Sequence, residues 1–294
     1  MVSELSILLP VYNQNIVPLV EVLLQQAASL TIPFEILVYD DGSSPEILRQ
    51  NSSVAAHPCV RYQELGKNVG RSKIRYLLAQ EATYGWLLFL DNDMLPVRQD
   101  FLPTYVSATT AAVAVGGVAY QNTYPPQAKL RWLYGRSREQ ATAQERQMNP
   151  YQRIFFSNLF VRKDLLLSSF PHLQVSGYGH EDTLFAYCLQ QKQVPVQHLN
   201  NPAYHLGLEE ASVFLEKTEQ AIQNLVYLQR TYSVAQESRL ATAFSFLRQT
   251  QIANLVQKQS DWLLPLLRRQ LLSTHPSLVA FDFYRLVLLC KYRK

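Results

Sequence analysis

The chain has 294 residues, 48% of them hydrophobic and 17% charged, with 10 Gly and 15 Pro. This is globular composition with enough apolar content for a large core, and it excludes disorder as the main state and a fibrous or low-complexity chain. A net charge of +4 suits an anionic small ligand or a membrane surface and falls short of the strongly basic balance of a nucleic-acid binder.

Cys59, Cys188 and Cys290 lie far apart, and no C-x-x-C pair occurs. That argues against a disulfide framework or zinc cluster and points to a reducing compartment. No signal-peptide pattern opens the sequence, and no run of about 18 apolar residues could span a bilayer. The expectation is a cytoplasmic protein, with peripheral contact to the inner membrane face left open.

The first half alternates strand-like and helix-like stretches. Leu5–Pro10 is a short apolar run, and Pro18–Leu30 carries apolar residues at 20, 23, 24 and 27, which is helical spacing. Phe34–Tyr39 reads as a second strand ending in Asp40-Asp41-Gly42. Ser44-Pro45 then reads as a serine cap with proline in the first turn of a helix. Cys59–Leu65 is a third strand, Gly70–Ala82 a helix, and Trp86–Leu90 a buried strand ending at Asp91. This order predicts a mostly parallel sheet with helices on both faces and a ligand site outside the carboxyl ends of the strands. Ala111–Val118 reads as a fifth strand and Tyr120–Pro150 as a long loop with a helix around Ala128–Arg138. Ile154–Val161 and Pro195–Leu199 are further strands. From Glu209 the pattern is helical, with helices through Phe214–Leu228, Leu240–Leu247, Trp262–Leu272 and Ser277–Tyr292.

Five groups of residues carry chemistry. Asp91-Asn92-Asp93 follows a strand end, where two carboxylates can wrap around a hard cation, although the same triplet is good turn chemistry. Asp40-Asp41 can accept hydrogen bonds from a base or ribose, or cap the next turn. Gly66–Arg75 places four basic side chains near a helix N-terminus, which favours anions, or forms a solvated basic face. Gly177–Asp182 combines glycines with paired acids and suits a general base that forms up over substrate, or a helix cap. His205 completes a metal site if it folds back near Asp93, or serves as an ordinary structural histidine.

Taken in order, these pieces resemble the family 2 glycosyltransferases of the GT-A fold over roughly residues 3–207. The loop Pro10-Val11-Tyr12-Asn13 looks like the family's nucleotide-contacting loop, and Asp40-Asp41-Gly42-Ser43 resembles its acidic turn. Asn68-Val69-Gly70-Arg71 with Arg75 is similar to its asparagine-glycine-arginine segment. Asp91-Asn92-Asp93 resembles the DxD motif, Glu181-Asp182 the motif holding the catalytic base, and His205 the late metal-ligating histidine.

The resemblance implies an α/β fold: a GT-A-like three-layer αβα sandwich with a mostly parallel central sheet and a helical C-terminal extension. The implied domains are residues 1–207, split into a nucleotide-sugar half (1–95) and an acceptor half (96–207), and an extension over 208–294. It further implies nucleotide-sugar contacts from Pro10, Tyr12, Asn13, Asp41, Asn68, Arg71, Arg75, Asp91 and Asn92. Mn2+ or Mg2+ would be held by Asp93 and His205, with Asp91 near it. Asp182 would be the general base, and Glu181 would position the acceptor. The implied reaction is single displacement with inversion from a nucleotide-diphosphate sugar, UDP favoured, to a hydroxyl of a glycan or lipid-linked acceptor.

Met94 stands where the family often has a further Asp, and no Q-x-x-R-W signature follows. That points to single addition. A sugar nucleotidyltransferase would need a glycine-rich loop after the first strand, where Pro10–Asn15 has none. A non-catalytic binding module would predict loss of the acidic residues, which are all present. The tail Phe281–Lys294 suits an anionic membrane surface through its terminal basic residues, or a last helix packed on the domain.

Overall fold

Ten strands and thirteen helices follow one another in a computed structural model that describes residues 2–169, 179–231 and 239–293. The strands are β1 (Leu5–Val11), β2 (Phe34–Asp40), β3 (Val60–Glu64), β4 (Trp86–Leu90), β5 (Met94–Pro96), β6 (Val113–Val115), β7 (Val118–Ala119), β8 (Asn158–Arg162), β9 (Val196–His198) and β10 (Ala203–His205). The helices are α1 (Val17–Ala27), α2 (Pro45–Asn51), α3 (Arg71–Glu81), α4 (Phe101–Ala108), α5 (Lys129–Tyr134), α6 (Ala143–Gln147), α7 (Lys163–Ser169), α8 (Glu181–Gln191), α9 (Ala211–Thr231), α10 (Arg239–Gln249), α11 (Ile252–Lys258), α12 (Ser260–Leu271) and α13 (Leu278–Tyr292). The chain divides into two units. One comprises Met1–Gln121, Glu139–Gln174 and Glu181–Gly207; the other comprises Asn122–Arg138, Val175–His180 and Leu208–Lys294.

The first unit is built on a seven-stranded sheet of order β3-β2-β1-β4-β8-β6-β9. β8 runs against both β4 and β6, and the other pairings are parallel. The central strands are apolar on both faces, as a doubly covered sheet requires: Ile7, Leu8, Leu9, Ile36, Leu37, Leu88 and Phe89 are buried. β1 to β2 crosses one way along the sheet and β3 to β4 the other. Right-handed crossovers therefore put α1 and α3 on opposite faces. α4 packs with α1, and α7 with α3, which completes three layers. Because β2, β1 and β4 are parallel neighbours, their carboxyl ends share one rim.

The sequence pattern and the structure differ in particular places. The single strand expected over Ala111–Val118 breaks at Gly116-Gly117 into β6 and β7. β7 joins a separate three-stranded sheet of order β5-β10-β7. At two or three residues, β5, β7 and β10 are too short to show period-two alternation. Ser44 occupies the N-cap of α2, but its hydroxyl makes no capping bond. Its N–H instead donates to Asn13 Oδ1 at 2.9 Å. The long polar stretch contains α6, which is opened by a capping box between Thr142 and Glu145. The signal was present as Thr-x-x-Glu.

The second unit is helical. Leu215, Ile222 and Leu225 of α9, Phe244 of α10, Leu271 of α12 and Phe281 and Leu288 of α13 form its core together with Leu130 of α5. Phe214 stacks on Phe281 with centroids 5.2 Å apart, and Tyr134 meets the same ring edge-on at 5.3 Å. Residues 122–138, expected to belong with the acceptor half, thus pack with the C-terminal helices. Tyr124 and Trp132 in this stretch stack on each other at 4.2 Å.

Candidate active site

The rim of β2-β1-β4 carries the first group of residues. Asn13 follows β1 with a left-handed φ of 49°. Its N–H donates to Ser43 Oγ at 2.7 Å, and its side-chain oxygen accepts from Ser44. Asp41 N–H donates to the Val11 carbonyl at 2.8 Å. The Asp41 carboxylate accepts the N–H groups of Val69 (2.6 Å) and Gly70 (3.1 Å) just before α3. Asp41 therefore binds the Asn68–Gly70 loop to the rim, a use that the sequence did not reveal. Burial raises its pKa above the ordinary carboxylate value, against the pull of those two amides. Gly42 makes this approach possible. A Cβ there would lie 2.8 Å from the Lys67 carbonyl carbon, and its φ of +79° disfavours any side chain. Asn68 and Arg71 are exposed, Tyr12 is half exposed, and Pro10 is half-buried in β1. Asn92 Nδ2 reaches the Tyr12 carbonyl at 3.5 Å, which ties the β4 loop to the β1 loop.

The second group centres on Arg75. Its side chain points from α3 into the unit and is only 3% exposed. Nη2 donates to Asp91 Oδ1 at 2.7 Å, Nη1 donates to Glu181 Oε1 at 3.0 Å, and the guanidinium lies 5.1 Å from the Phe156 ring centroid. Arg75 was expected at the nucleotide, but its guanidinium is engaged by two carboxylates. Burial works against its charge, yet Asp91 and Glu181 raise its pKa above the usual value. Burial likewise opposes ionisation of Asp91, and Arg75, Arg71 and His205 more than offset it, so Asp91 titrates below its ordinary value. Glu181 is itself buried, with Oε1 facing the Arg75 guanidinium.

Asp182 follows at the start of α8. Its Oδ1 accepts the Phe156 N–H at 3.1 Å. Loss of hydration and the neighbouring Glu181 carboxylate push its pKa up to about 7, against Arg75 and the Phe156 amide. Two neighbouring carboxyls are thus driven in opposite directions, Asp91 down and Asp182 up. Environments that separate pKa values in this way assign one group to stay charged and the other to exchange a proton near neutrality. Gly177 and Tyr178 of the same motif lie outside the described residues.

The third group forms where β10 pairs antiparallel with β5. His205 lies opposite Met94, so its Nε2 comes within 3.4 Å of Asp93 Oδ2. The Leu206 N–H donates to the Asp93 carbonyl at 2.8 Å. Gly207 makes room for the Asp93 carboxylate, because a Cβ there would collide with it. His205 Nδ1 is buried without a hydrogen-bond partner, and the Tyr120 ring lies 5.8 Å from the imidazole. No cluster of three His, Cys, Asp or Glu groups suited to a metal occurs among the described residues. Gly207 and Phe156 did not stand out as site residues in the sequence, because a space-making glycine and a backbone donor carry no motif.

The model of one protein family, described as glycosyl transferase family 2, matches residues 6–166. That is more than half of the chain. The chain belongs to glycosyl transferase family 2. No curated protein matches it by sequence. Solved structures resemble the family 2 chain in fold. One is a mannosyltransferase from Pyrobaculum calidifontis in complex with GDP-Man and Mn2+, at 13% identity and TM-score 0.52; the match covers 79% of this chain and 65% of that one. S. aureus TarS with UDP-GlcNAc matches at 18% identity and TM-score 0.52, over 99% of this chain and 89% of that one. Mycobacterium tuberculosis glucosyl-3-phosphoglycerate synthase, with Mn2+, UDP and glucosyl-3-phosphoglycerate, matches at 13% identity and TM-score 0.52, over 80% of this chain and 82% of that one. Membership of glycosyl transferase family 2 makes the activity sugar transfer from a nucleotide sugar. No described helix is long and apolar enough to cross a membrane.

Proposed function

We propose that this glycosyltransferase inverts the anomeric centre in one displacement, with Asp182 as general base and a divalent cation at Asp93 and His205. The observation that carries the reading is the Arg75 bridge. It joins Asp91, on the loop after β4, to Glu181, the residue before Asp182, so one buried cation links the strand-end rim to the candidate base. Asp182 accepts the proton of the acceptor hydroxyl as that oxygen attacks the anomeric carbon. The bond from that carbon to the diphosphate breaks, and the nucleoside diphosphate leaves with the electron pair. A carboxyl with a pKa near 7 is matched to this role near neutral pH.

The donor atoms fit a hard divalent ion. Asp93 and His205 offer an oxygen and a nitrogen 3.4 Å apart. Mg2+ and Mn2+ commonly take one or two protein groups and complete their shell with water and substrate phosphates. When bound, such an ion would stabilise negative charge on the leaving diphosphate. Asp91 is less suited as a ligand, because Oδ1 is held by Arg75. The exposed Asn68 and Arg71, on either side of the Val69-Gly70 segment that Asp41 holds at the rim, are assigned to the donor, as are Tyr12, Asn13, Asn92 and Pro10. UDP is favoured as the nucleotide, since TarS and the mycobacterial synthase hold UDP or a UDP-sugar. The acceptor class we favour is a hydroxyl of a glycan or lipid-linked sugar.

The test is thermal unfolding with UDP, GDP, CDP and dTDP, each with and without Mn2+. Ligand binding to the folded state raises the midpoint. A rise with one nucleotide that needs Mn2+, and that Asp93→Ala removes, is the expected result. A metal-independent rise, or one that survives Asp93→Ala, would refute the cation site.

A further inference from the structure

The helical unit leaves part of its apolar surface uncovered. α12 is apolar on two sides. Leu264, Leu267 and Leu271 pack into the helical core. On the opposite face, Trp262, Pro265, Leu266 and Arg269 follow one another at i, i+3, i+4 and i+7, and all are exposed. Trp262 is 64% and Leu266 49% exposed, and Leu272 just beyond the helix is exposed as well. A helix packed on one side of a soluble domain ordinarily carries polar residues on the other.

Charge in this region is one-sided. Residues 239–294 hold nine Lys and Arg against two Asp, net +7, although the whole chain carries only +4. Both acids already have cationic partners, Asp261 with Lys291 at 3.2 Å and Asp282 with Arg138 at 2.6 Å. Arg248, Lys258 and Arg269 are exposed. α13, for which the sequence offered either a membrane surface or a last helix packed on the domain, buries Phe281, Tyr284, Leu288 and Leu289.

We propose that the exposed face of α12 docks this protein on an anionic lipid surface, with Trp262 and Leu266 entering the interface and the surrounding basic residues held against the headgroups. Charge complementarity selects this occupant. A second copy of the chain would bring two strongly positive units together. An anionic bilayer supplies both the apolar phase that the Trp262 stripe lacks and negative charge to face the exposed Arg248, Lys258 and Arg269. The proposal goes beyond the transfer reaction and does not depend on it.

Flotation of the full chain with vesicles tests it, using phosphatidylcholine alone and a phosphatidylcholine–phosphatidylglycerol mixture. The wild type is expected to float with the mixed vesicles, and less so as salt rises. The double substitution Trp262→Ser with Leu266→Ser should weaken partition about a hundredfold or more, the order expected for losing two inserted apolar side chains. Arg269→Glu should weaken it about fivefold or more. Trp262 emission should shift to the blue on mixed vesicles, and Trp262→Phe should remove that shift, which gives a readout independent of the double variant. Equal partition onto uncharged vesicles would overturn the proposal, as would no flotation or flotation unchanged by the double substitution. A dimer seen by light scattering that the double substitution dissolves, without vesicle binding, would make the face a self-association surface instead.

Discussion

Two buried arginines in the α/β unit are satisfied in opposite ways. Arg75 faces carboxylates, Asp91 at 2.7 Å and Glu181 at 3.0 Å. Arg146 is just as buried but donates to the carbonyls of Val115 (3.0 Å), Gly116 (2.9 Å), Leu199 (2.7 Å) and Ala141 (3.3 Å), and to His198 Nδ1 (2.7 Å). Since a guanidinium can only donate, His198 carries its proton on Nε2, which donates to the Pro150 carbonyl at 2.9 Å. Burial without a nearby anion lowers the Arg146 pKa to about 10, whereas the carboxylates raise that of Arg75. A cation facing carboxylates fixes other charged side chains. A cation facing carbonyls fixes the chain itself. Arg75 thus organises the acids of the candidate site, and Arg146 holds the segments from which β7 and β10 depart, and with β10 His205.

The largest expected effect tests what the Arg75 cluster is for. Asp182→Asn should lower transfer by about 10²–10⁴-fold, the usual contribution of a general base, while donor binding measured by calorimetry stays intact. In the wild type, transfer should rise as pH increases through about 7, as Asp182 ionises. Stability should run the other way. The folded-state pKa of Asp182 lies above its unfolded value, so the folded state binds the extra proton and stability falls between about pH 4 and 7. Urea titrations across that range should show a shallower fall in Asp182→Asn than in the wild type.

Next comes Arg75→Met, which strands two buried carboxylates. It should cost about 3–5 kcal/mol in denaturant unfolding, and Arg75→Lys should recover little, because one ammonium cannot span both acids with a fork. Arg146→Met should cost less, roughly 2–3 kcal/mol, because carbonyls left without a donor are neutral and can relax toward water. A larger loss at Arg146 than at Arg75 would reverse the ranking and make the backbone cage the stronger device.

The smallest effect is an acid limb from His198. Burial, with Arg146 beside it, holds its pKa down to about 4 despite the Pro150 carbonyl. The unfolded chain therefore binds the proton first, and stability should decline as pH falls from about 6.5 to 4. His198→Asn should flatten that decline in thermal scans.

Much of the rim was legible in the sequence. Strands β1, β2 and β4 are continuous apolar runs closed by polar residues, and the alternation with helices dictates parallel pairing and hence a shared edge. The acidic residues after β2 and β4 were legible because a carboxylate at a strand end is conspicuous. What those carboxylates touch was not legible. Asp41 spends its oxygens on the Val69 and Gly70 amides, and Arg75 spends its guanidinium on Asp91 and Glu181, across 16 and 106 residues of sequence. Neither partner is implied by spacing.

The sequence by itself determined the alternation of strands and helices through β4, the doubly covered sheet and the identity of the chemistry-bearing side chains, because periodicity and residue type are local properties. Tertiary structure alone decided the pairing of β10 with β5 that sets His205 beside Asp93, the buried bridge from Asp91 through Arg75 to Glu181, and the membership of residues 122–138 in the helical unit. It also decided that α13 is buried while α12 keeps an apolar face in water. Each of these depends on which surfaces meet, and such pairings are fixed by competition among all the buried faces of the chain rather than by any short stretch of it.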